Sequence, residues 1–579
     1  MNEMAPVFTT ENECQDCYKC VRHCPVKAIR IVGGKASVIP EACVACGECV
    51  KVCPAHAKKI RSDLARLKEM LSSGAKVYAS VAPSFAGYFR GVTIGQMAGA
   101  LKKLGFAGVS ETAHGAESVS AHVSRLLEET HSPLVISSAC PAAVDMIRRY
   151  APDYAQYISP LPSPVRAHCG LLKEAYGEDV KVVFIGPCAA KKNEADANPK
   201  VLALAIIFPA LEQLMEEKGV TFGEEAELAL GPAEEGRFYS VEGGMNDTIR
   251  DGASDKVRFL AVSGLENLRR VLGDVSNVKA DAKRKIFLEV LACPGGCVNG
   301  PAMKAGSGSL GAIFETDEAS PLRTSVGRCF THCGTQAYPA AAIIEEEPSE
   351  QAIAGALARV GKYKKSDELN CGACGYNTCR EFAKALLAGK AEEAMCHTFL
   401  KKNFQRTSNA LIKYIPAGVV IVDGKGLIVE CNRLFAELAG ATGEFDALGN
   451  LEGLAVEAFL PEFADLFTGA LEHGSEIVKY RQPWKKKIVT VSVFPISKNE
   501  FAGAVIQDVT MNEGRREEIA AKAREVIRKN VYTVQQVARL FGEHIAETEI
   551  MLNEIAGAYE SHTEGKRLRE ADSGEYLNG

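Results

Sequence analysis

The run KIFLEVLACPGGC, residues 285–297, decides the fold. Its apolar half is too short for an ordinary helix and stops at a Pro-Gly-Gly turn, which reads as a buried strand. Three more runs share the design: AKVYASVAPSF (75–85), SPLVISSACPAA (132–143) and VKVVFIGPCAAKK (180–192). Helical stretches such as GQMAGALKKLG (95–105) and PAAVDMIRRYA (141–151) separate them. Short strands alternating with helices predict parallel sheets of α/β type, whose ligands sit just beyond the carboxyl ends of the strands. Cys140, Cys188, Cys293 and Cys297 all fall at those ends, and Pro141 suits the first position of a helix. Four thiolates brought to one point make one 4Fe–4S cubane. Cys169 fits no such pattern and reads as core.

At 579 residues the chain is too long for one core, so several domains are expected. Composition is that of a soluble protein: 47% hydrophobic, 24% charged, formal net charge −6. That charge gives no reason to expect a nucleic acid or an anionic membrane as partner. The first residues, MNEMAPVFTTENEC, have neither the basic nor the apolar region of a signal peptide. The longest apolar stretch, VLALAIIFPALEQLM (201–215), is broken by Pro209 and too short to span a bilayer. The expectation is a cytoplasmic protein, in which 20 cysteines point to metal or redox chemistry rather than disulfides.

Eight of those cysteines form two matched runs, Cys14-x2-Cys17-x2-Cys20-x3-Cys24-Pro25 and Cys43-x2-Cys46-x2-Cys49-x3-Cys53-Pro54. In two-cluster ferredoxin modules the fourth cysteine of each run ligates the other run's cluster. Cys14, Cys17, Cys20 and Cys53 would hold one 4Fe–4S cluster, and Cys43, Cys46, Cys49 and Cys24 the second. The segment AIRIVGGKASVIPEAC between them predicts a small β-ribbon with a Gly-Gly turn. A module of this size with two clusters is a wire, not a reaction site. A third group, Cys371-x2-Cys374-x4-Cys379-x16-Cys396, follows an acidic linker and supplies four ligands for one more cluster, with zinc as the alternative.

Residues 404–512 lack a metal pattern and read as strand, turn, strand, helix and then three alternating strands, a small sensor-like module. The KKK run at 485–487 reads as a solvated hairpin rim, because no second basic cluster accompanies it. Residues 513–579 begin as an amphipathic helix suited to a partner or a second copy and end in a polar tail. Cys431 and His473 make no haem or flavin motif, and Cys329, His332 and Cys333 read as an ordinary loop.

The segments SSACPA, GPCAAKK and LEVLACPGGCVNG resemble the three signatures of the [FeFe]-hydrogenases, and the likeness extends over roughly residues 1–400. The resemblance implies an H-cluster: a cubane on Cys140, Cys188, Cys293 and Cys297, joined through Cys297 to a diiron unit with CO, CN⁻ and azadithiolate. It implies that Lys191 hydrogen-bonds a cyanide, that Ala82, Pro83 and Ser84 lie beside the dithiolate, and that Pro187 and Ser163 stand in the surrounding shell. The implied architecture is multidomain α/β and α+β. It comprises a ferredoxin-like module (1–62), an α/β H-cluster domain (63–345), a small Fe–S domain (346–403), a PAS domain (404–512) and a C-terminal helix and tail (513–579).

The chain also departs from that pattern. Catalytic relatives carry a proton-relaying cysteine just before the first ligand, where this sequence has Ala139. Their relay glutamates align with Val123 and Leu126, a relay serine with Ser159, and two flanking methionines with Gly186 and Leu291. A missing general acid or base costs roughly 10²- to 10⁴-fold. The order of domains is similar to that of sensory hydrogenases. The expectation is therefore a slow, H2-sensing enzyme that signals in trans to a kinase or phosphatase through the PAS module and helix. A metabolic hydrogenase exchanging electrons with ferredoxin, its PAS module serving for docking or homodimer formation, is the alternative. A scaffold that never acquires the diiron unit is the third reading.

Overall fold

The computed structural model describes residues 5–250, 256–278, 285–304, 311, 333–344, 346–448, 450–485, 487–510, 524–531 and 533. These fall into two compact units, residues 1–397 and 398–579.

The N-terminal module pairs β1 (Val7–Thr9) antiparallel with β4 (Lys58–Ile60), while β2 (Ile29–Val32) and β3 (Lys35–Val38) form a hairpin. Gly33 and Gly34 make its two-residue turn at φ 56° and 72°, the left-handed region that favours glycine. Two short helices, α1 (Lys19–His23) and α2 (Glu48–Val52), pack on each other. The duplication seen in the cysteines extends to the backbone. Asp16 and Ala45, Tyr18 and Gly47, and Lys27 and His56 occupy matching positions, and all six have positive φ. Both cysteine loops thus fold alike.

Two parallel sheets follow. One has the order β6 (Gly108–Glu111), β5 (Val77–Val81), β8 (Lys181–Gly186), β9 (Leu204–Ile207). The other runs β10 (Val257–Ser263), β11 (Lys285–Leu291), β7 (Leu134–Ile136). β5 and β8 are buried almost throughout, as strands covered by helices on both faces must be. The polar Ser80 on β5 is tolerated because it bonds Thr112 at 2.7 Å and His168 Nδ1 at 2.8 Å. His168 in turn bonds Ser110 at 2.9 Å, and burial holds its pKa well below the ordinary value, so the ring is neutral. This bond chain pins the helix Pro164–Tyr176 to the sheet.

The four runs read as strands are β5, β7, β8 and β11. β6, β9 and β10 escaped that reading. β9 lies inside the longest apolar stretch, because Pro209 sits in the first turn of the helix Phe208–Lys218 and lets it start directly after the strand. No helix among the described residues is long and apolar enough to cross a membrane.

In the second unit one antiparallel sheet has the order β13 (Ile428–Cys431), β12 (Gly418–Asp423), β16 (Phe501–Asp508), β15 (Lys487–Ser497), β14 (Ile477–Trp484). Helices between β13 and β14 cover one face and bury Phe435, Phe463, Phe467 and Trp484. Lys485 and Lys487 are both exposed, as a solvated rim requires. Lys485 also donates to the Ala439 carbonyl at the end of the helix Arg433–Ala439, and Lys487 pairs with Asp508 at 2.9 Å. Most of 513–579 lies outside the described residues; 524–531 is helical.

Candidate functional site

β7 and β11 are neighbours in one sheet and β8 belongs to the other. Their carboxyl ends deliver Cys140, Cys293 and Cys188 to one place, and the turn after Cys293 returns Cys297. The four cysteines line a single hollow with Pro187, Leu291, Ala292 and Gly300. Cys140 is the N-cap of the helix Pro141–Tyr150, and its sulfur accepts the Ala292 N–H at 3.4 Å. The tight turn is enforced at Gly296, whose φ is 107° and where a β-carbon would lie 2.4 Å from the Ser240 carbonyl oxygen.

Burial pushes the Cys188 thiol up to about 11 and the Cys293 and Cys297 thiols well above their usual range, and negative charge on the neighbouring sulfurs adds to it. Such thiols ionise only when a strong positive charge compensates them, which iron supplies. Among the described residues no three Cys, His, Asp or Glu side chains could hold a single metal ion. Four sulfurs lining one hollow instead suit a multi-iron cluster.

Lys191 is the cation facing Cys188 and Cys297 and opposes the rise in both. It is buried and paired with Glu194 at 2.5 Å. Ser84 and Ser163 are fully buried, and their hydroxyls have no partner among the described residues. Two orphaned hydroxyls at positions that the resemblance places around a polar diatomic-bearing group fit such a group. Ala82 is held at the end of β5 by its N–H bond to Ile185 at 2.9 Å, and Pro83 follows it into the short helix Phe85–Tyr88. The Pro187 carbonyl accepts the Ala302 N–H at 3.1 Å.

Ala139 packs against an apolar cluster that includes Val119, Val123, Leu161, Met245 and Cys333, with Leu126 at its margin. The Ala139 amide donates to Ser137 at 3.2 Å, and the Ser137 hydroxyl is turned to the Met245 sulfur at 3.2 Å. Ser159 is buried with an unpartnered hydroxyl. Cys333, read as loop, is buried in this cluster, whereas Cys329 and His332 lie outside the described residues. Cys169 is fully buried in the helix Pro164–Tyr176.

Sequence reasoning passed over Glu289 on β11. Its carboxylate accepts the backbone N–H groups of Gly243 at 3.2 Å and Asn246 at 3.0 Å, yet burial lifts its pKa to about 7. It anchors the start of the helix Gly244–Arg250, which carries Met245, and its charge bears on Cys297. A charged residue at an inward position of an apolar strand was the available signal.

The dicluster cysteines are arranged around their own spaces. Cys24, Cys43, Cys46 and Cys49 line one hollow. Cys14, Cys17 and Cys20 lie within electrostatic reach of one another, and Cys53 ends α2. Cys46 also lines the hollow of Cys140, Cys188, Cys293 and Cys297. Arg149 and Tyr150 reinforce the junction by donating to the carbonyls of Glu41, Ala42 and Cys43. In the third group, Cys374 feels Cys371 and Cys396, and Cys379 opens the helix Cys379–Leu387 with its N–H on Asn370 at 2.7 Å.

Residues 75–301 match the family model described as iron only hydrogenase large subunit, C-terminal domain. The chain carries an iron-only hydrogenase domain. A 4Fe–4S dicluster domain model matches residues 6–54, and an Fe–S cluster model matches 367–397. The chain is similar to the periplasmic [Fe] hydrogenase large subunit of Nitratidesulfovibrio vulgaris, at 29% identity over 53% of this chain and 88% of that protein. It is also similar to iron hydrogenase 1 of Clostridium pasteurianum, at 25% identity over 42% of this chain and 52% of that one. A solved [FeFe]-hydrogenase of Chlamydomonas reinhardtii aligns over 49% of this chain and all of its own, at 19% identity and a TM-score of 0.38.

Proposed function

We propose that the chain is a hydrogen-sensing hydrogenase that interconverts H2 with protons and electrons slowly and reports the outcome through its iron–sulfur clusters. The H-cluster, when bound on Cys140, Cys188, Cys293 and Cys297, supplies the cleavage of H2 and accepts its electrons. Around it the chain's own groups bind and orient. Lys191 offers a buried cation for an anionic ligand, Ser84 and Ser163 offer hydroxyls, and Cys46 brings the dicluster module to the same hollow.

The observation that carries the sensing reading is the apolar cluster at Ala139. A relay must place an acid or base within hydrogen-bond reach, directly or through one water. Here a methyl group stands at the first position, and Val123 and Leu126 stand at the next two. The second unit supports a PAS reading by its five-stranded antiparallel sheet, with the helices inserted between β13 and β14. The last ligand of the third group, Cys396, directly precedes the helix His397–Tyr414 that leads into that unit. A redox change at Cys396 would bias that unit and, through it, a kinase or phosphatase in the cytoplasm.

The test is H2 oxidation by fully matured protein beside its Ala139→Cys variant. Slow turnover that the variant accelerates supports sensing. Fast turnover indifferent to the substitution supports the metabolic alternative, with ferredoxin as redox partner. Absence of CO and CN⁻ infrared bands in both would mean a scaffold.

A further inference from the structure

The small cysteine domain around Cys371–Cys396 is seated on the dicluster module rather than trailing from the hydrogenase domain. Arg22 on α1 donates to the Cys17 carbonyl at 3.0 Å and to the Ala373 carbonyl at 3.4 Å, so one guanidinium joins the two ligand loops. Lys27 donates to the Gly375 carbonyl at 2.7 Å and to the Val21 carbonyl at 3.1 Å. Gly375 has φ 93°, and a β-carbon on it would come within 2.8 Å of Val21. On the far side of the loop, Glu392 accepts the N–H groups of Gly33 and Gly34, and Lys390 accepts that of Ile31.

The duplication makes this contact meaningful. α1 and α2 are equivalent halves of one repeat. The α2 half, through Cys46 and Gly47, meets the hydrogenase domain, where a β-carbon on Gly47 would collide with Pro301. The α1 half meets the Cys371–Cys374 loop with comparable closeness at Gly375. Symmetric halves have acquired different neighbours.

We infer that the Cys371–Cys396 cluster is the outer end of one continuous electron wire, seated on α1 by Arg22 and Lys27, which act as positioning residues. The inference rests on the cluster assignments of the proposed function and not on sensing. Cleavage of H2 leaves two protons and two electrons. The electrons pass singly into the dicluster module, where one reduces an oxidised cluster of that module and the other passes on to the oxidised third cluster. Lys27 lies within electrostatic reach of both Cys24 and Cys374, so its charge favours the reduced, more negative state on either side.

The experiment uses the matured full chain reduced under H2 and frozen for electron paramagnetic resonance, with Cys374→Ala identifying the third cluster's signal. In the parent protein that signal is broadened by coupling to the dicluster. Gly375→Val retains the iron content but loses the broadening and delays reduction of the third cluster by H2. Lys27→Gln retains the broadening and shifts the third cluster's redox equilibrium toward oxidised by about tenfold, as one cation several Å away does at an effective dielectric of about 20. An unbroadened parent signal overturns the inference, as does unchanged coupling in Gly375→Val. Should Gly375→Val fail to fold, the broadening of the parent signal alone decides the wire, and an unshifted equilibrium in Lys27→Gln overturns the role given to the Lys27 charge. Fast turnover with intact coupling would refute sensing and leave the wire; slow turnover without coupling would do the reverse.

Discussion

Pro301 fills the space that a side chain at Gly47 would need: a β-carbon there would lie 2.4 Å from Pro301 Cβ. Gly47 also has φ 75°, which favours glycine on its own account. The residue starts α2 beside Cys46, and Pro301 follows the CPGGC turn, so this contact sets the approach of the dicluster module to the hydrogenase hollow. Gly47→Ala combines strain with overpacking and is expected to destabilise the protein by about 1–3 kcal/mol. H2-driven bleaching of the dicluster absorbance should slow while the diiron infrared bands persist. An unaltered bleaching rate would show that the contact does not govern electron transfer.

Ala139→Cys restores one link of a missing chain. Val123 and Leu126 remain apolar behind it, packed with Val119 and Met245. The variant should therefore recover only part of the roughly 10²- to 10⁴-fold that a positioned acid–base group contributes. Turnover by an H2-uptake assay decides this, and full recovery from the single substitution would point to another proton route.

Lys191 is a cation that the structure sets against both Cys188 and Cys297. Lys191→Met should reduce retention of the diiron unit about 10- to 100-fold, the usual effect of removing a supporting group around a metal. CO and CN⁻ infrared intensity per cubane iron measures it. Lys191→Arg should not rescue, because a planar guanidinium does not replace a compact ammonium in a closed pocket.

Asp63 accepts Lys192 Nζ at 2.8 Å, Arg61 at 3.0 Å and Arg66 at 3.1 Å, with Asp63 and Lys192 both buried. This pair joins the segment after β4 to the helix Ala190–Ala197 beside the cluster loop. Asp63→Ala leaves a buried ammonium unpaired and should cost about 3–5 kcal/mol, whereas Asp63→Leu with Lys192→Met should cost much less. Burial alone would raise the Asp63 pKa, but Lys192 and Arg61 more than offset it and hold it below the ordinary value. A depressed carboxyl stabilises the fold above its unfolded pKa, and that contribution fades as pH falls through the folded value. The parent's thermal midpoint should accordingly decline on acidification below about pH 4 more steeply than that of the double variant. Parallel declines would remove Asp63 from the acid response.

Much of this protein is written in the local spacing of its residues. Cysteines separated by two or three residues must share a loop, whatever the rest of the chain does. A short apolar run closed by Pro and Gly must be a strand with its ligand at the far end. β6, β9 and β10 were not legible, because neither a turn motif nor a cysteine marked their ends. Lys192, Glu289 and Cys333 escaped for a related reason: a buried charge or thiol has meaning only through the distant group that it faces.

The sequence by itself determined which thiols are grouped, where Ala139 interrupts a familiar motif, and that the two halves of the N-terminal module are copies. Only the tertiary structure decided that Cys46 opens onto the hydrogenase hollow, that α1 carries the third cysteine loop, and that Val123 and Ala139 share one apolar cluster. Spacing along a chain fixes contacts a few residues apart. Contacts between β7, β8 and β11, or between Gly375 and Val21, depend instead on how sheets and modules pack, and packing is a property of the whole fold.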